Sequence, residues 1–107
     1  MTPLSEMPPT EKNIAIAERN GWLEIETNTK GDSYGYLPGT TVGKFDKDSL
    51  PDYTGASRDP IMDAILDMNE DDYDLFIRYL FDMVSDALRA TPTQLCDAYL
   101  LAHGFTP

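Results

Sequence analysis

The sequence has little of several residue types on which common protein chemistries depend. Its 107 residues include one cysteine, one histidine and one tryptophan. With Cys96 alone, no disulfide can form within the chain, so nothing indicates an oxidising compartment. No apolar run approaches the roughly 20 residues of a membrane-spanning helix, and residues 1–9 lack the basic start and apolar segment of a secretory signal. We therefore predict a cytoplasmic protein that does not contact membranes.

Basic residues are also scarce. Eight lysines and arginines stand against 19 acidic residues, which gives a net charge of −11. Binding to nucleic acid phosphates or to an anionic membrane surface needs clusters of Lys and Arg, so neither is expected as a direct partner. An acidic chain is instead suited to rapid encounter with basic partners. Solubility alone would also account for this composition.

The residues that carry catalysis or bind metals do not form a recognisable site. Cys96 and His103 lie seven residues apart on the predicted last helix, about 10 Å along its axis, too far for a thiolate–imidazole pair. Residues 67–71 begin like a calcium loop, but Asp72 and Arg78 occupy the positions that require Gly and Glu. The chain has neither zinc-ligand spacing nor a phosphate-binding glycine motif. We predict no enzymatic activity, no cofactor and no bound metal.

The chain is predicted to begin with a flexible tail, residues 1–9, which contains three prolines. A single domain over residues 10–107 follows, because this length suits one hydrophobic core. Its first helix is predicted over residues 11–20, with Gly21 in the left-handed position that commonly ends a helix. Trp22 would then fold back onto that helix.

A small antiparallel sheet is predicted next. The first strand alternates apolar and polar residues, which places Trp22 on one face and Leu23 and Ile25 on the other. A turn connects it to the second strand, and the two form a hairpin. A third strand follows, although Gly43 interrupts it. The three strands are predicted over residues 22–27, 34–37 and 40–45.

Three further helices are predicted after an irregular segment at residues 46–58. Asp59 is expected to cap the first of them, with Pro60 at its first helical position. Asn69 caps a helix over residues 70–89, and Thr91 begins a capping box ahead of the last helix. Apolar residues at helical spacing define the core face of the middle helix: Tyr73, Phe76, Ile77, Leu80, Val84, Ala87 and Leu88. The expected fold is α+β, a small antiparallel sheet packed with about four helices.

Several short segments, taken in order, carry a family resemblance. They are Asn13–Glu18 with Gly21-Trp22, then Tyr34–Gly39, Leu50–Tyr53, Ala90–Gln94, Ala98–Leu100 and Gly104. In this order they resemble the phage ABA sandwich domain family, over most of the chain from about residue 12. The resemblance implies an α/β/α sandwich-like arrangement and a phage or prophage origin, but no activity. The chain departs from the family pattern in a long stretch between Pro38 and Leu50 and in a more acidic helix after Arg58.

Acidic residues concentrate between residues 59 and 90, where nine acids stand against two arginines. Asp63 and Asp67 are four residues apart, so they share a helical face, and we expect the same of Asp82 and Asp86. A row of carboxylates can imitate a phosphate backbone and occupy a basic groove, whereas an ordinary solvated face would look the same in sequence. The residues predicted to bind a partner here are Asp63, Asp67, Asp71, Asp74, Asp82 and Asp86.

These features predict a protein that binds the basic surface of a host protein or nucleoprotein complex. We expect a phage-encoded inhibitor of host defence or of nucleic acid handling, resembling an anti-CRISPR or a DNA mimic. Tyr34 and Tyr36, on one face of the second strand, are further candidates for partner binding. With Trp22 they favour an alternative, a structural or homo-oligomeric phage component with an aromatic interface. The sequence identifies neither the partner nor the oligomeric state.

Overall fold

The computed structural model describes residues 2–40 and 46–107. Within them it contains four helices and a three-stranded antiparallel sheet, which confirms the predicted α+β class. The elements in chain order are α1 (Pro9–Arg19), β1 (Leu23–Thr27), β2 (Ser33–Tyr36), β3 (Asp48–Ser49), α2 (Asp59–Leu66), α3 (Glu70–Met83) and α4 (Pro92–Ala102). Two 3₁₀ turns, Leu4–Glu6 and Ala87–Arg89, complete the described elements.

The sheet has the order β1-β2-β3, with β2 in the centre. The hairpin of β1 and β2 matches the prediction. The strand that completes the sheet is β3, which pairs Ser49 with Tyr34 and Asp48 with Gly35. It therefore lies within the segment that was predicted to be irregular. The third strand predicted over residues 40–45 falls almost entirely outside the described residues.

Strand β1 contains a bulge that the alternating pattern does not predict. Leu23 pairs with Tyr36 and Glu26 pairs with Tyr34, so β1 has one residue more than β2 between these two pairs. Glu24 lies in this bulge and has a φ of +48°, a left-handed backbone conformation. The prediction that Trp22 and Ile25 lie on opposite faces is therefore wrong, since the bulge brings both against the core.

Helices α1 and α4 end in the same way. At the end of α1, Gly21 has a φ of +91° and the backbone N–H of Trp22 donates to the carbonyl of Ala17. At the end of α4, Gly104 has a φ of +93° and the N–H of Phe105 donates to the carbonyl of Leu100. This 6→1 hydrogen bond across a left-handed glycine is the Schellman motif. Trp22, which follows α1, is part of the core, and Phe105, which follows α4, packs against it.

Helix α3 is shorter than predicted. It begins as expected, with the Asn69 side chain accepting a hydrogen bond from the backbone N–H of Asp72. It ends at Met83, because Val84 adopts an extended conformation. The Asp86 side chain then accepts from the N–H of Leu88 and begins a separate 3₁₀ turn. Such local hydrogen bonds compete with helix continuation.

Helix α4 organises the core. Its capping box is present as predicted, since Thr91 and Gln94 exchange side chain to backbone hydrogen bonds. The helix contacts α1, α2 and α3, and α1 in turn contacts β1. Leu100, Ile16 and Ile61 are among the fully buried side chains at these contacts.

The residues predicted to form a flexible tail contribute to this core. Leu4 is only 4 % exposed, and its backbone N–H donates to the carbonyl of Thr106 at 2.9 Å. The two ends of the domain are thereby joined next to α4. Among the described residues, no helix combines the length and the apolar character required to cross a membrane.

Candidate interaction surface

All six aspartates predicted to bind a partner are exposed, but they occupy different settings. The ion pairs formed among residues 2–40 and 46–107 are Lys12–Asp97, Lys47–Glu26 and Arg89–Asp86. Five of the six predicted residues therefore have no cationic partner in the part of the chain that is described. They are Asp63, Asp67, Asp71, Asp74 and Asp82.

Asp86 belongs to a different local structure. One of its oxygens accepts from the N–H of Leu88 at 3.0 Å, and the other lies 3.5 Å from the Arg89 guanidinium. Because α3 ends at Met83, Asp86 and Asp82 do not share a helical face. The prediction that they form a pair on one helix is wrong, and Asp86 serves to cap the 3₁₀ turn.

Asp63 and Asp67 lie at the end of α2, four residues apart. Both line an open cleft of about 430 Å³ whose lining also includes Trp22 and Pro38. Tyr53 is also at this cleft, and burial, reinforced by nearby groups that include Asp63, raises its pKa to about 12. The two carboxylates are thus placed together, as predicted, beside a largely buried phenol.

Asp67 also borders a second cleft, of about 510 Å³, which is lined by the ends of α1, α2 and α4 and by the start of α3. Here Nε2 of His103 is buried and has no hydrogen-bond partner among the described residues. Its ring packs against that of Tyr99 in a tilted arrangement, with 4.6 Å between centroids and 51° between the ring planes. Burial lowers the pKa of His103, with Arg19 acting in the same direction and Asp72 opposing it. Sequence reasoning assigned His103 only to the end of a helix and did not indicate this cleft.

The remaining three aspartates lie on α3 at exposed positions, on the side opposite its buried residues Phe76 and Leu80. Helical spacing groups them with three other exposed residues, because each member lies three or four positions from at least one other member. We define the outer face of α3 as Asp71, Asp74, Leu75, Arg78, Phe81 and Asp82.

The apolar members of the outer face of α3 are unusual, since the solvent side of a helix is normally polar. Phe81 is 53 % exposed and Leu75 is 36 % exposed. Their positions lie outside the predicted core stripe of Tyr73, Phe76 and Ile77. Their spacing in the sequence therefore already indicated that both side chains are exposed. The prediction of partner-binding residues on this helix considered only the acidic residues around them.

The aromatic residues of the hairpin are only partly available. Tyr34 and Tyr36 are half-buried, and Nζ of Lys47 lies 5.4 Å from the centre of the Tyr36 ring. Alternation along β2 puts both tyrosines on one face, opposite the buried side of Gly35. Trp22 is 9 % exposed and belongs to the core, so it does not extend an aromatic surface.

Cys96 is enclosed rather than presented to solvent. Its thiol donates to the carbonyl of Tyr53 at 3.1 Å, and burial raises its pKa to about 12. Such a thiol stays protonated at neutral pH and is a poor nucleophile. The neighbouring Lys12–Asp97 ion pair, 2.8 Å long, connects α1 to α4. Within the described ranges, no group of three His, Cys, Asp or Glu side chains is arranged to hold a metal ion.

Comparisons of the chain with protein-family models, with curated proteins and with solved structures find no match.

Proposed function

We propose that this chain is a phage-encoded acidic accessory protein that binds stoichiometrically to the basic surface of a host protein or nucleoprotein complex. The target would defend the cell or handle nucleic acid in the cytoplasm, and binding would inhibit it. The observation that carries the proposal is the exposure of Asp63, Asp67, Asp71, Asp74 and Asp82 without a described cationic partner. The phage origin is supported by the resemblance of the short sequence segments alone.

The physical basis is electrostatic complementarity. With a net charge of −11, the chain attracts basic surfaces over distances of about a Debye length, and this steering accelerates encounter. Aspartates that share a helical face repel one another by a few tenths of a kcal/mol per pair. A cationic partner would relieve that repulsion between Asp63 and Asp67 and between Asp71 and Asp74, which favours the complex.

A pull-down from bacterial lysate tests the proposal. Wild-type protein should retain a specific set of basic proteins, which should be lost with the triple variant Asp71→Lys, Asp74→Lys, Asp82→Lys. They should also be released at about 0.5 M salt, where the Debye length is only about 4 Å. The matched control, Glu6→Lys, Glu18→Lys, Asp32→Lys, changes the net charge equally at exposed positions elsewhere and should retain the same proteins. Equal retention by both triple variants would show that these carboxylates do not form the contact.

The alternative, a structural or homo-oligomeric phage component with an aromatic interface, has less support. Trp22 lies in the core, and Tyr34 and Tyr36 are half-buried. Association through these side chains would persist at high salt, so the same salt series distinguishes it from an electrostatic contact.

A further inference from the structure

Large apolar side chains are exposed in the same part of the chain in which the acids concentrate. Among the described residues, nine large hydrophobic side chains are exposed, and seven of them lie between Met62 and Leu88. The other two, Leu23 and Leu37, belong to the hairpin region. Two of these seven side chains, Leu75 and Phe81, belong to the outer face of α3, beside its three aspartates.

The outer face of α3 combines acidic side chains with exposed apolar ones. From Asp71 to Asp82 it extends about 17 Å along the helix axis. Leu75 and Phe81 are six residues apart, which places them about 120° apart around the axis, at the two edges of the face. The three aspartates and Arg78 lie between these edges. A ligand that covers the carboxylates would therefore also meet both apolar side chains.

We propose that the outer face of α3 binds a protein segment that carries basic and large apolar side chains together, with Phe81 and Leu75 as apolar anchors. The inference rests on the proposed function and specifies the partner's chemistry. Cationic side chains of the segment would pair with Asp71, Asp74 and Asp82. Its apolar side chains, or the stem of an arginine, would cover Phe81, whose ring also favours contact with a guanidinium.

The charge and composition of the outer face of α3 favour this segment over two other partners, a phosphate-binding groove and a second copy of the chain. A groove that binds phosphates is lined mainly by cationic and polar groups, and it would leave Leu75 and Phe81 against polar surface. A second copy of the chain would bring two faces with three aspartates and one arginine each into contact, and both copies carry −11, so they repel. A basic segment with apolar residues can pair with the three aspartates and also cover Leu75 and Phe81.

The size of the face also favours a segment. An area about 17 Å long and one helix wide is much smaller than the roughly 800 Å² per partner of a standard protein–protein interface. A single helix or extended peptide matches it, in the manner of other helix-mediated peptide recognition.

The test uses the full chain and two synthetic peptides as probes. Both peptides match α3 in length, 14 residues. One contains arginine and leucine in equal numbers, and the other has serine in place of every leucine. Binding is measured by fluorescence anisotropy of the labelled peptide at about 0.15 M and about 0.5 M salt. We expect the leucine peptide to bind at least about tenfold more tightly, with the difference retained at high salt.

Variants locate the contact. Phe81→Ser should weaken binding of the leucine peptide at least about tenfold and leave binding of the serine peptide unchanged. Leu37→Ser, at a comparably exposed leucine in the hairpin region, is the matched control and should bind both peptides like wild type. Leu75→Ser provides a second variant if Phe81→Ser proves less stable in thermal unfolding.

The outcomes separate this inference from the proposed function. If both peptides bind equally and only the aspartate-to-lysine variant loses them, electrostatic binding stands and the apolar anchor is overturned. If Phe81→Ser weakens binding but the aspartate variant does not, the anchor stands and the proposed function fails. A concentration-dependent dimer in sedimentation that Phe81→Ser abolishes would assign the face to a second copy and overturn the inference, as would failure of both peptides to bind.

Discussion

Trp22 and Ile25 lie on the same side of β1, although the alternation of a regular strand would separate them. Both reach the position that a side chain at Gly35 would occupy. A Cβ there would be 3.1 Å from Cγ1 of Ile25 and 3.5 Å from Cε3 of Trp22. The bulge at Glu24 makes this arrangement, and Gly35 is the residue that leaves space for it.

Substituting Gly35→Ala should therefore destabilise the domain by about 1–3 kcal/mol, because the added methyl group overpacks the contact between β2 and the core. The effect is measured by urea unfolding, together with the emission spectrum of Trp22, the single tryptophan. The spectrum should shift because the indole is displaced.

Gly31→Ala is the control for Gly35→Ala. Gly31 has a φ of +89° and open space around it, so alanine there costs about 1–2 kcal/mol through the backbone alone. It should leave Trp22 emission unchanged. The double variant Gly35→Ala, Ile25→Ala should lose less free energy of unfolding than the sum of the losses of the two single variants. Additive losses would contradict crowding between the added methyl group and Ile25.

Cys96 should be unreactive in the folded protein. Its thiol is buried, donates to the Tyr53 carbonyl and has a pKa raised to about 12 by burial, so almost no thiolate exists at pH 8. We expect a thiol reagent at pH 8 to label Cys96 at the rate at which the domain unfolds, and to label it fully within seconds in denaturant. Rapid stoichiometric labelling without denaturant would show that the thiol is accessible.

His103 should make stability depend on pH. Its folded-state pKa lies below the ordinary value of 6.5, first because of burial, so the unfolded state binds the proton more readily. The free energy of unfolding should therefore be constant between about pH 7 and pH 8, below the range in which Cys96 ionises in the unfolded chain, and fall as the pH drops towards about 5.

His103→Asn tests this dependence, since asparagine is tolerated at the end of a helix. His103 is the single histidine, so the variant removes the only imidazole of the chain, the side chain whose ordinary pKa lies in this range. The slope between about pH 7 and pH 5 should thus flatten in the variant, as measured by urea unfolding at a series of pH values. An unchanged slope would assign the dependence to other groups.

Features that depend on neighbouring residues can be recognised in the sequence. As predicted, Asn69 and Thr91 cap the helices that follow them and Gly21 ends α1, and Gly104 ends α4 in the same way. Each of these structures is held by hydrogen bonds within a few residues, so residue type and spacing are sufficient. The α+β class follows from the same local patterns, and so does the acidic character of the segment around α3.

Other features depend on contacts between distant segments. The bulge in β1 is defined by its pairing with β2, and β3 is a strand only because it pairs with β2. The burial of Leu4 depends on the opposite end of the chain. Local composition does not encode such pairings, because each partner adopts its conformation only when the other is in place.

The candidate interaction surface likewise has features that the sequence indicates and features that only the tertiary structure decides. Charge identified the aspartates, and helical spacing already set Leu75 and Phe81 apart from the core stripe. Only packing decided that Asp86 caps a turn, that Asp63 and Asp67 line a cleft with Trp22, and that Phe81 remains exposed. Whether a side chain meets solvent or another element depends on how the helices assemble around α4, which no single segment determines.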